Sequence, residues 1–451
     1  MGSASMADLE HFGYTQELKR ALTPRDLVVY GMIFMVPIAP FSIFGFVSHD
    51  ANGMVALAYL VGMVGMLFTA MSYAAMSQAF PIAGSVYTYA QRGLHDAAGF
   101  LSGWLILLDY ILIPALLYIL SAVALRSLWP AVPAWVWMMG FIFFNATVNW
   151  RGIAFTARAN LYLLGFELVI LALFIIAGLV ALSGGHGAGH LTLKPMFDPA
   201  TFNLSTVVGA TSIAVLSFLG FDGISTLSEE TVGGQSAVGR ATLLALLLVG
   251  LMFIAQTWIA ADLGAGMRFA SPDSAFYEIS ELAGGVWLKR LVLGAVAISF
   301  GIANAMAAQA AVSRVLFAMA RDGQLPSILA RVHPRHHTPY TSTLLVTAVS
   351  IVTSLFFLDN VEDLSRLVNF GALSSFVVLH LAVINHHFVR ARSGQWVRHL
   401  VCPVLGLLVI LYVIVEMDAT AKRFGLIWLA IGIAYYAVLT QVLKRSARIE
   451  V

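Results

Sequence analysis

Three acidic residues lie inside long apolar stretches of this chain, and they are its first candidates for chemistry. Asp109 is followed directly by Tyr110, Glu167 lies in a run without other charges, and Asp222 precedes a glycine. A charged side chain within a membrane span is costly, so each of these residues is a functional candidate. Asp109 could be the counter-ion of a cationic ligand, or it could hydrogen-bond to a neighbouring helix.

Two of the apolar stretches also contain residues that interrupt a helix. The first holds Val-Pro-Ile-Ala-Pro at 36–40, where two prolines remove two amide donors. The other holds Ser-Phe-Leu-Gly-Phe-Asp-Gly at 217–223, where two glycines disfavour a continuous helix. Broken backbone inside a membrane is tolerated where it lines a cavity or is buried in protein. Asp222 is also predicted to cap the second half-helix by accepting the amide of Ile224 or Ser225.

The elements that must position these residues are membrane-spanning helices. Hydrophobic residues make up 60% of the 451 residues and charged residues 11%, against about 25% charged residues in a soluble globular protein. Apolar runs of about 20 residues recur along the chain, and each is long enough to cross a bilayer. We expect about twelve spans, numbered in order, near 26–47, 54–78, 97–125, 132–149, 159–182, 204–227, 240–263, 287–319, 340–358, 366–388, 400–417 and 424–443.

Composition and charge exclude several classes of protein. A chain this apolar is not a soluble enzyme, a disordered protein or a nucleic-acid binder, and its partner is the lipid bilayer. Its single cysteine, Cys402, cannot form an internal disulfide. With the N-terminus placed in the cytoplasm, about two-thirds of the 25 Lys and Arg lie on the cytoplasmic side. We therefore expect both termini in the cytoplasm, and a polar tail at 1–25 rather than a cleaved signal peptide.

The breaks in spans 1 and 6 are five spans apart, which is typical of an inverted repeat with a binding site between the breaks. We predict an all-α integral membrane protein with one repeat at 26–182, a loop at 183–203 and a second repeat at 204–390. Two extra helices follow at 391–443, and a cytoplasmic tail at 444–451. The alternative is a proline kink and a glycine-tolerant helix without a role.

Three further motifs are shared with a known family. They are Phe-Pro-Ile-Ala-Gly-Ser-Val-Tyr-Thr-Tyr at 80–89, Ser-Glu-Glu at 228–230 and Ser-Arg-Val-Leu-Phe-Ala-Met-Ala-Arg-Asp-Gly at 313–323. Together with the stretch at 217–222, they resemble the amino acid–polyamine–organocation (APC) transporter superfamily, and most of all bacterial putrescine importers. The resemblance implies a 5+5 inverted-repeat fold of the LeuT/APC type with helices 1 and 6 broken. It also implies proton-coupled secondary transport across the bacterial inner membrane, by a monomer or homodimer without cofactor.

The resemblance also suggests how the breaks would bind a substrate. Amino-acid-transporting relatives carry a Gly-x-Gly type stretch in span 1, whose bare amides bind the substrate carboxylate. The two prolines of this chain make a poorer anion site, which favours an amine, although the amides of Ile38 and Ala39 could still suffice. Unwound carbonyls in span 6 would bind the ammonium group, and the phenylalanines there would form apolar walls or a cation–π face, or simply pack. The candidate substrate-binding residues are Val36, Pro37, Ile38, Ala39, Asp109, Tyr110, Leu216, Phe218, Leu219, Gly220, Phe221, Asp222 and Asn304.

Glu167 has three possible roles. Many members of the superfamily that this chain resembles carry a lysine at the position that matches Glu167, so the sign of the charge is reversed in this chain. Because desolvation disfavours the charged form of a carboxyl group, Glu167 could take up and release a proton and couple transport to the proton gradient. It could instead bind one end of a diamine, or stay protonated and only hydrogen-bond.

The expected function is import of a small cationic amine, putrescine or a related polyamine, by alternating access. The alternative is an amino acid/proton symporter or an amino acid/amine exchanger of the same superfamily. An intramembrane enzyme is disfavoured because the chain lacks H-E-x-x-H, paired aspartates in a G-x-G-D setting and G-x-S-G. A short basic loop explains the histidines at 333–337, so we expect no metal site.

Overall fold

The computed structural model describes residues 17–234, 236–358, 361–417 and 419–442. Most of the predicted tail at 1–25 and all of the tail at 444–451 lie outside the described residues. Within the described part, ten helices are long and apolar enough to cross a membrane, or eleven if a bent pair is counted as one span. The prediction of an all-α multi-pass membrane protein is therefore confirmed.

The first five predicted spans all form helices. Span 1 is a pair of helices, and a short helix precedes span 3. The helices are Pro24–Met35 and Pro40–Asp50 (span 1), Val55–Ala79 (span 2), Val86–Gly93, Asp96–Leu128 (span 3), Ala134–Arg151 (span 4) and Ile153–Ser183 (span 5).

Spans 6 to 12 include several 3₁₀ and π segments. Span 6 is Leu204–Ala214 followed by the 3₁₀ segments Val215–Phe218 and Phe221–Glu230, and span 7 is Ser236–Leu263. The helix Ala275–Gly284 precedes span 8, which is Val286–Ile298, the π-helical Ser299–Asn304 and Ala305–Arg321. The remaining spans are Tyr340–Phe357 (span 9), Val361–Val383 continued by Ile384–Arg390 (span 10), Val397–Val401 continued by Cys402–Glu416 (span 11) and Ala419–Ala437 continued by Val438–Val442 (span 12).

The predicted count of about twelve spans exceeds the number of apolar helices by one. Span 4 forms the helix Ala134–Arg151, but this helix is not among those that are apolar enough to cross a membrane. Its last two turns carry Asn145, Asn149 and Arg151, which lower its hydropathy. Both asparagines donate to span 8, Asn145 to the carbonyl of Gly301 at 2.7 Å and Asn149 to the carbonyl of Met306 at 3.0 Å.

The break in span 1 follows directly from its prolines. A capping box of Thr23 and Asp26 starts the first helix, which ends at Met35 because Pro37 follows shortly after. Val36 then adopts a positive φ of 54°, and Pro40 begins the second helix at its first position, where proline is favoured. The two helices are bent by 54° relative to each other.

The break in span 6 depends on Gly220. Its φ is +116°, a conformation that favours glycine, and a Cβ atom there would lie 2.8 Å from the carbonyl oxygen of Phe34 in span 1. The backbones of the two broken spans therefore approach each other closely at this point. The second half of span 6 continues as a 3₁₀ helix, where an α-helix was expected.

The chain before span 1 also pairs with the end of span 6. The amides of Ala21 and Leu22 donate to the carbonyl of Glu230 at 3.0 Å, and the amide of Val232 donates to the carbonyl of Leu22 at 2.7 Å. Leu22 and Thr231 form an isolated parallel bridge. We call the end of the bundle where span 1 begins and span 6 ends the N-face. The inverted repeat predicted at 26–182 and 204–390 stays a prediction.

Candidate functional site

A cavity of about 60 Å³ lies beside both breaks. A cavity needs about 10–15 Å³ to hold one water molecule, so this cavity has room for a few groups of that size. Spans 1, 3, 6 and 8 contribute its walls. The lining residues are Phe34, Met35, Ala39, Ser42, Ile43, Ile113, Leu116, Leu117, Leu120, Leu216, Ser217, Leu219, Phe300 and Asn304.

The cavity combines apolar walls with a few polar atoms. The hydroxyl of Ser42 and the amide oxygen of Asn304 are buried and have no hydrogen-bond partner among the described residues. The hydroxyl of Ser217 is 3.1 Å from that of Tyr59 in span 2. The carbonyl of Leu216 accepts only a long bond, 3.3 Å, from the amide of Leu219. Such a mixture is typical of a small-molecule site, in which few polar groups orient the ligand.

Two carboxyl groups lie close together next to this cavity. Asp109 and Asp222 are each about 1% exposed, and their charges interact. Asp222 accepts a short hydrogen bond from the hydroxyl of Tyr110 and a bond of 3.2 Å from the amide of Gly220. Neither oxygen of Asp109 has a hydrogen-bond partner among the described residues. No described cationic side chain forms an ion pair with either carboxyl group, so no described side-chain cation would balance a negative charge there.

The predicted cap by Asp222 is wrong in its detail. The carboxylate does lie at the start of the second half-helix, but it accepts the amide of Gly220 and not that of Ile224 or Ser225. Gly220 is the N-cap position of the 3₁₀ helix, and Asp222 lies two residues inside it. Its side chain therefore folds back toward the preceding turn. The Ser225 hydroxyl instead donates to the carbonyl of Asp222 at 2.6 Å.

Phe34 contacts both the cavity and residues next to the two carboxyl groups. It lines the cavity, and its ring centroid is 6.3 Å from that of Tyr110, whose hydroxyl donates to Asp222. A Cβ atom at Gly223 would lie 2.3 Å from the Phe34 ring. Along span 3, Asp109 lies about one helical turn closer to the N-face than the cavity-lining Ile113.

The amides at the break of span 1 are largely engaged. Ala39 donates to the carbonyl of Val36 at 2.8 Å, Phe41 to that of Ile38 at 3.0 Å and Ser42 to that of Ala39 at 3.3 Å. Positions 37 and 40 are prolines and have no amide hydrogen. Among the described residues, Ile38 is therefore the one position from 37 to 42 whose amide donates to no carbonyl. This arrangement is poorly suited to a carboxylate, which needs several convergent donors.

Four of the predicted substrate-binding residues line the cavity, namely Ala39, Leu216, Leu219 and Asn304. Phe218 and Phe221 are not among its lining residues. Phe218 stacks edge-on against Phe253 of span 7 with centroids 5.1 Å apart, and Phe221 against Tyr73 of span 2 at 5.8 Å. These contacts agree with the packing alternative, and a role of either residue in substrate binding stays a prediction.

The other predicted residues lie around the cavity without lining it. Val36 and Ile38 are fully buried, and Asp109, Tyr110, Gly220 and Asp222 form the neighbourhood of the carboxyl pair. Pro37 has a partner that sequence reasoning missed, because its carbonyl accepts a bond of 2.8 Å from the side chain of Gln256 in span 7. Gln256 is a buried polar residue in an apolar span, and that signal could have identified it.

Glu167 lies where span 5 meets span 8. Its side chain is fully buried, and neither carboxyl oxygen has a hydrogen-bond partner among the described residues. The hydroxyl of Ser299 faces it from the π-helical turn of span 8 without reaching ordinary hydrogen-bond geometry. The first helix of span 1 contacts both span 5 and this π-helical turn. Single π turns inside α-helices occur frequently at functional sites.

The three sequence motifs at 80–89, 228–230 and 313–323 converge at the N-face. Both oxygens of Glu229 accept from Arg321, at 2.9 and 3.1 Å, and one of them also accepts the amide of Ala83 at 3.0 Å. Glu230 and Arg314 form a second, buried bidentate pair. The hydroxyl of Tyr87 donates to Asp322 at 2.7 Å. We call these contacts the N-face gate, because they join span 6 to span 8 and to the segment after span 2.

Two of the described histidines, in span 10 and in the loop before span 9, have hydrogen-bond partners. His380 lies 2.9 Å from the hydroxyl of Ser72 and 3.3 Å from that of Thr69, so both of its ring nitrogens have a partner. In the loop before span 9, His333 accepts the amides of Arg335 and His336 at 3.2 and 3.3 Å. Desolvation, followed by the charges of His333, Arg335 and Arg151, lowers the pKa of His336.

The bundle, its two broken helices and the cavity between them define a membrane transporter. A family model described as amino acid permease matches residues 27–439, so the chain belongs to the amino acid permease family, as its motifs predicted. The low-affinity putrescine importer PlaP of Escherichia coli (strain K12) is 33% identical over 94% of both chains. The branched-chain amino acid permease BcaP of Bacillus subtilis (strain 168) is 28% identical over 93% of both chains. The methylthioribose transporter of the same organism is 28% identical over 94% of both.

Proposed function

We propose that this permease imports a small cationic amine, putrescine or a related polyamine. The observation that carries the proposal is the pair Asp109 and Asp222, two buried carboxyl groups without a described cationic partner. A buried negative charge is tolerated when a cation compensates it, and an ammonium group of the substrate would do so. The similarity to a putrescine importer supports the same substrate class.

The break of span 1 supports an amine over an amino acid. A carboxylate would need free amides there, and three of the amides at 37–42 donate to carbonyls while two positions are prolines. Span 6 offers the opposite chemistry, because Leu216 and Leu219 line the cavity and their carbonyls are acceptors suited to an ammonium group. The substrate would enter the cavity and reach the carboxyl pair when Phe34 moves.

We further propose that Glu167 exchanges the coupling proton. It is the one candidate acid that lies apart from the carboxyl pair, against the π-helical turn of span 8 and near the first helix of span 1. Its protonation would change the contact between these elements and so couple proton movement to rocking of spans 1 and 6. Import into the cytoplasm would also be driven by the inside-negative potential, since each charge contributes about 2.3 kcal/mol per 100 mV. With the N-terminus in the cytoplasm, as the distribution of Lys and Arg predicts, the N-face is the cytoplasmic end of the bundle. The protein would reside in the bacterial inner membrane.

The test is uptake of labelled putrescine into proteoliposomes with and without an inward proton gradient. We expect accumulation only with the gradient, competition by other diamines, and no competition by neutral amino acids. Glu167→Gln should bind putrescine but lose the dependence on the gradient. Ser183→Ala, at the exposed end of the same span, is the matched control.

The second candidate function is transport of an amino acid, either by symport with a proton or by exchange for an amine. The similarity to the branched-chain amino acid permease BcaP favours it. Uptake of a labelled amino acid that putrescine does not inhibit would replace the amine proposal with this one.

A further inference from the structure

An open groove lies on the side of the bundle, toward the face opposite the N-face, and it shares no lining residue with the central cavity. Its volume is about 780 Å³, within the range of about 300–1,000 Å³ that is usual for ligand sites. The end of span 3, the start of span 8, one residue of span 5 and the helix Ala275–Gly284 form it. The lining residues are Ser127, Leu128, Trp129, Phe166, Glu281, Val286, Lys289, Arg290, Leu291, Leu293, Gly294, Ala295 and Ile298.

One end of the groove is charged. Lys289 forms an ion pair of 2.8 Å with Glu281, so these two charges largely cancel. Arg290 is exposed and has no hydrogen bond or ion pair with any described residue. The groove therefore carries one uncompensated positive charge. Trp129, which is 54% exposed, lies at the same end, as tryptophan does at the boundary between headgroups and hydrocarbon.

The rest of the groove is apolar and runs along span 8. From Lys289 to Ile298 the helix rises about 13 Å, close to the depth of one leaflet, which is about 15 Å. Leu291, Leu293 and Ile298 border this stretch. A Cβ atom at Gly294 would meet nothing within 4 Å, so Gly294 leaves the middle of the groove open.

We propose that this groove binds an anionic phospholipid. The phosphate accepts hydrogen bonds from Arg290 at the charged end, and an acyl chain lies along span 8 over Gly294. The arrangement supports this occupant, because a cation and an interfacial tryptophan lie at one end of the groove, and an apolar channel of about one-leaflet depth extends from them along span 8. The uncompensated charge selects an anionic headgroup over a zwitterionic one, whose own cation would face Arg290.

The proposal is tested by native mass spectrometry of the delipidated full-length protein with added phosphatidylglycerol or phosphatidylcholine. We expect phosphatidylglycerol to bind more tightly, and Arg290→Gln to weaken it about fivefold, the usual effect of one basic residue near a membrane surface. Arg290→Lys keeps the charge and should bind nearly as well as the unaltered protein. Arg268→Gln removes an exposed charge outside the groove and should change nothing.

The apolar part of the groove is tested separately. Gly294→Leu should fill the channel and weaken binding of phosphatidylglycerol. Gly140→Leu, at an equally open position in span 4 and outside the groove, should not weaken it. Phosphatidylglycerol with brominated acyl chains should quench the fluorescence of the unaltered protein more than that of Trp129→Phe. Equal binding of both lipids, or equal effects of Arg290→Gln and Arg268→Gln, would overturn the proposal. Displacement by inorganic phosphate alone would identify an anion site and also overturn it.

Discussion

At the scale of single residues, the site depends on polar groups placed where the membrane interior offers no water. Asp109 and Glu167 are fully buried without a described hydrogen-bond partner, and Asp222 has two. Sequence reasoning could single out all three, because an acidic residue in an apolar run is conspicuous. It could not show that Phe34 contacts both the cavity and the neighbours of the carboxyl pair, since an aromatic residue in an apolar helix gives no such signal.

The first prediction concerns the carboxyl pair. Asp109→Asn keeps the shape of the side chain but removes the charge that we assign to the ammonium group. Putrescine uptake should fall at least about 30-fold, since losing one partner of a buried charge pair costs 2 kcal/mol or more. Initial rates of uptake in proteoliposomes measure this.

The control for Asp109→Asn is Asp50→Asn, which removes an acidic group at the exposed end of span 1. It should transport at the original rate. Equal rates for Asp109→Asn and the unaltered protein would show that Asp109 is a structural residue.

The second prediction concerns Gln256. Gln256→Leu removes the donor to the Pro37 carbonyl and leaves that buried group without its partner, at a cost of about 1–3 kcal/mol. We expect uptake to slow several-fold because the break of span 1 loses its anchor to span 7. Thr257→Val is the matched control, since the Thr257 hydroxyl donates at 2.7 Å to its own helix. Identical loss in both variants would contradict a specific role of Gln256.

At the scale of the elements, the broken spans 1 and 6 are held by contacts that no single motif contains. The prolines at 37 and 40 and the glycine at 220 place the breaks, which is why both could be predicted from the sequence. The 3₁₀ form of Phe221–Glu230 could not, because it depends on the close approach of Gly220 to Phe34 and on the pairing of Glu230 with Leu22. Span 4 was correctly predicted as a helix, but its asparagines serve contacts with span 8.

The third prediction concerns the buried pair of Glu230 and Arg314. Arg314→Ala leaves Glu230 buried without its cation, which should destabilise the protein by about 3–5 kcal/mol. The free energy of unfolding in detergent micelles measures this. Arg240→Ala, at an exposed position of span 7, should change it by less than about 0.5 kcal/mol.

A double variant separates the pair from its parts. Glu230→Gln combined with Arg314→Gln removes both charges, so it should cost less than Arg314→Ala alone. A larger loss in the double variant would show that the stabilisation comes from other contacts of these side chains.

At the scale of the whole molecule, opening of the N-face requires the contacts of the N-face gate to break. The pairing of Leu22 with Thr231 joins the chain before span 1 to the end of span 6, and these two segments can move together without breaking it. The fourth prediction follows from this difference. In a Cys402→Ser background, a short thiol cross-linker between cysteines at 22 and 231 should leave putrescine uptake intact. The same reagent between cysteines at 83 and 229 should block uptake until the link is cleaved.

Block of uptake by the link between 22 and 231 would contradict joint movement of the two segments. Uptake that survives the link between 83 and 229 would show that the gate does not need to open. In both cases, the uncross-linked double variants serve as controls for the substitutions themselves.

The convergence of three distant motifs in the N-face gate has a consequence for the design of chimaeras. Segments 80–89, 228–230 and 313–323 are far apart in the chain, yet each supplies one partner of the same set of contacts. A hybrid of two relatives that joins parents anywhere between residues 90 and 312 would inherit these partners from different lineages. Recombination that exchanges only the cavity-lining parts of spans 3, 6 and 8, and takes all three motifs from one parent, would keep the gate intact.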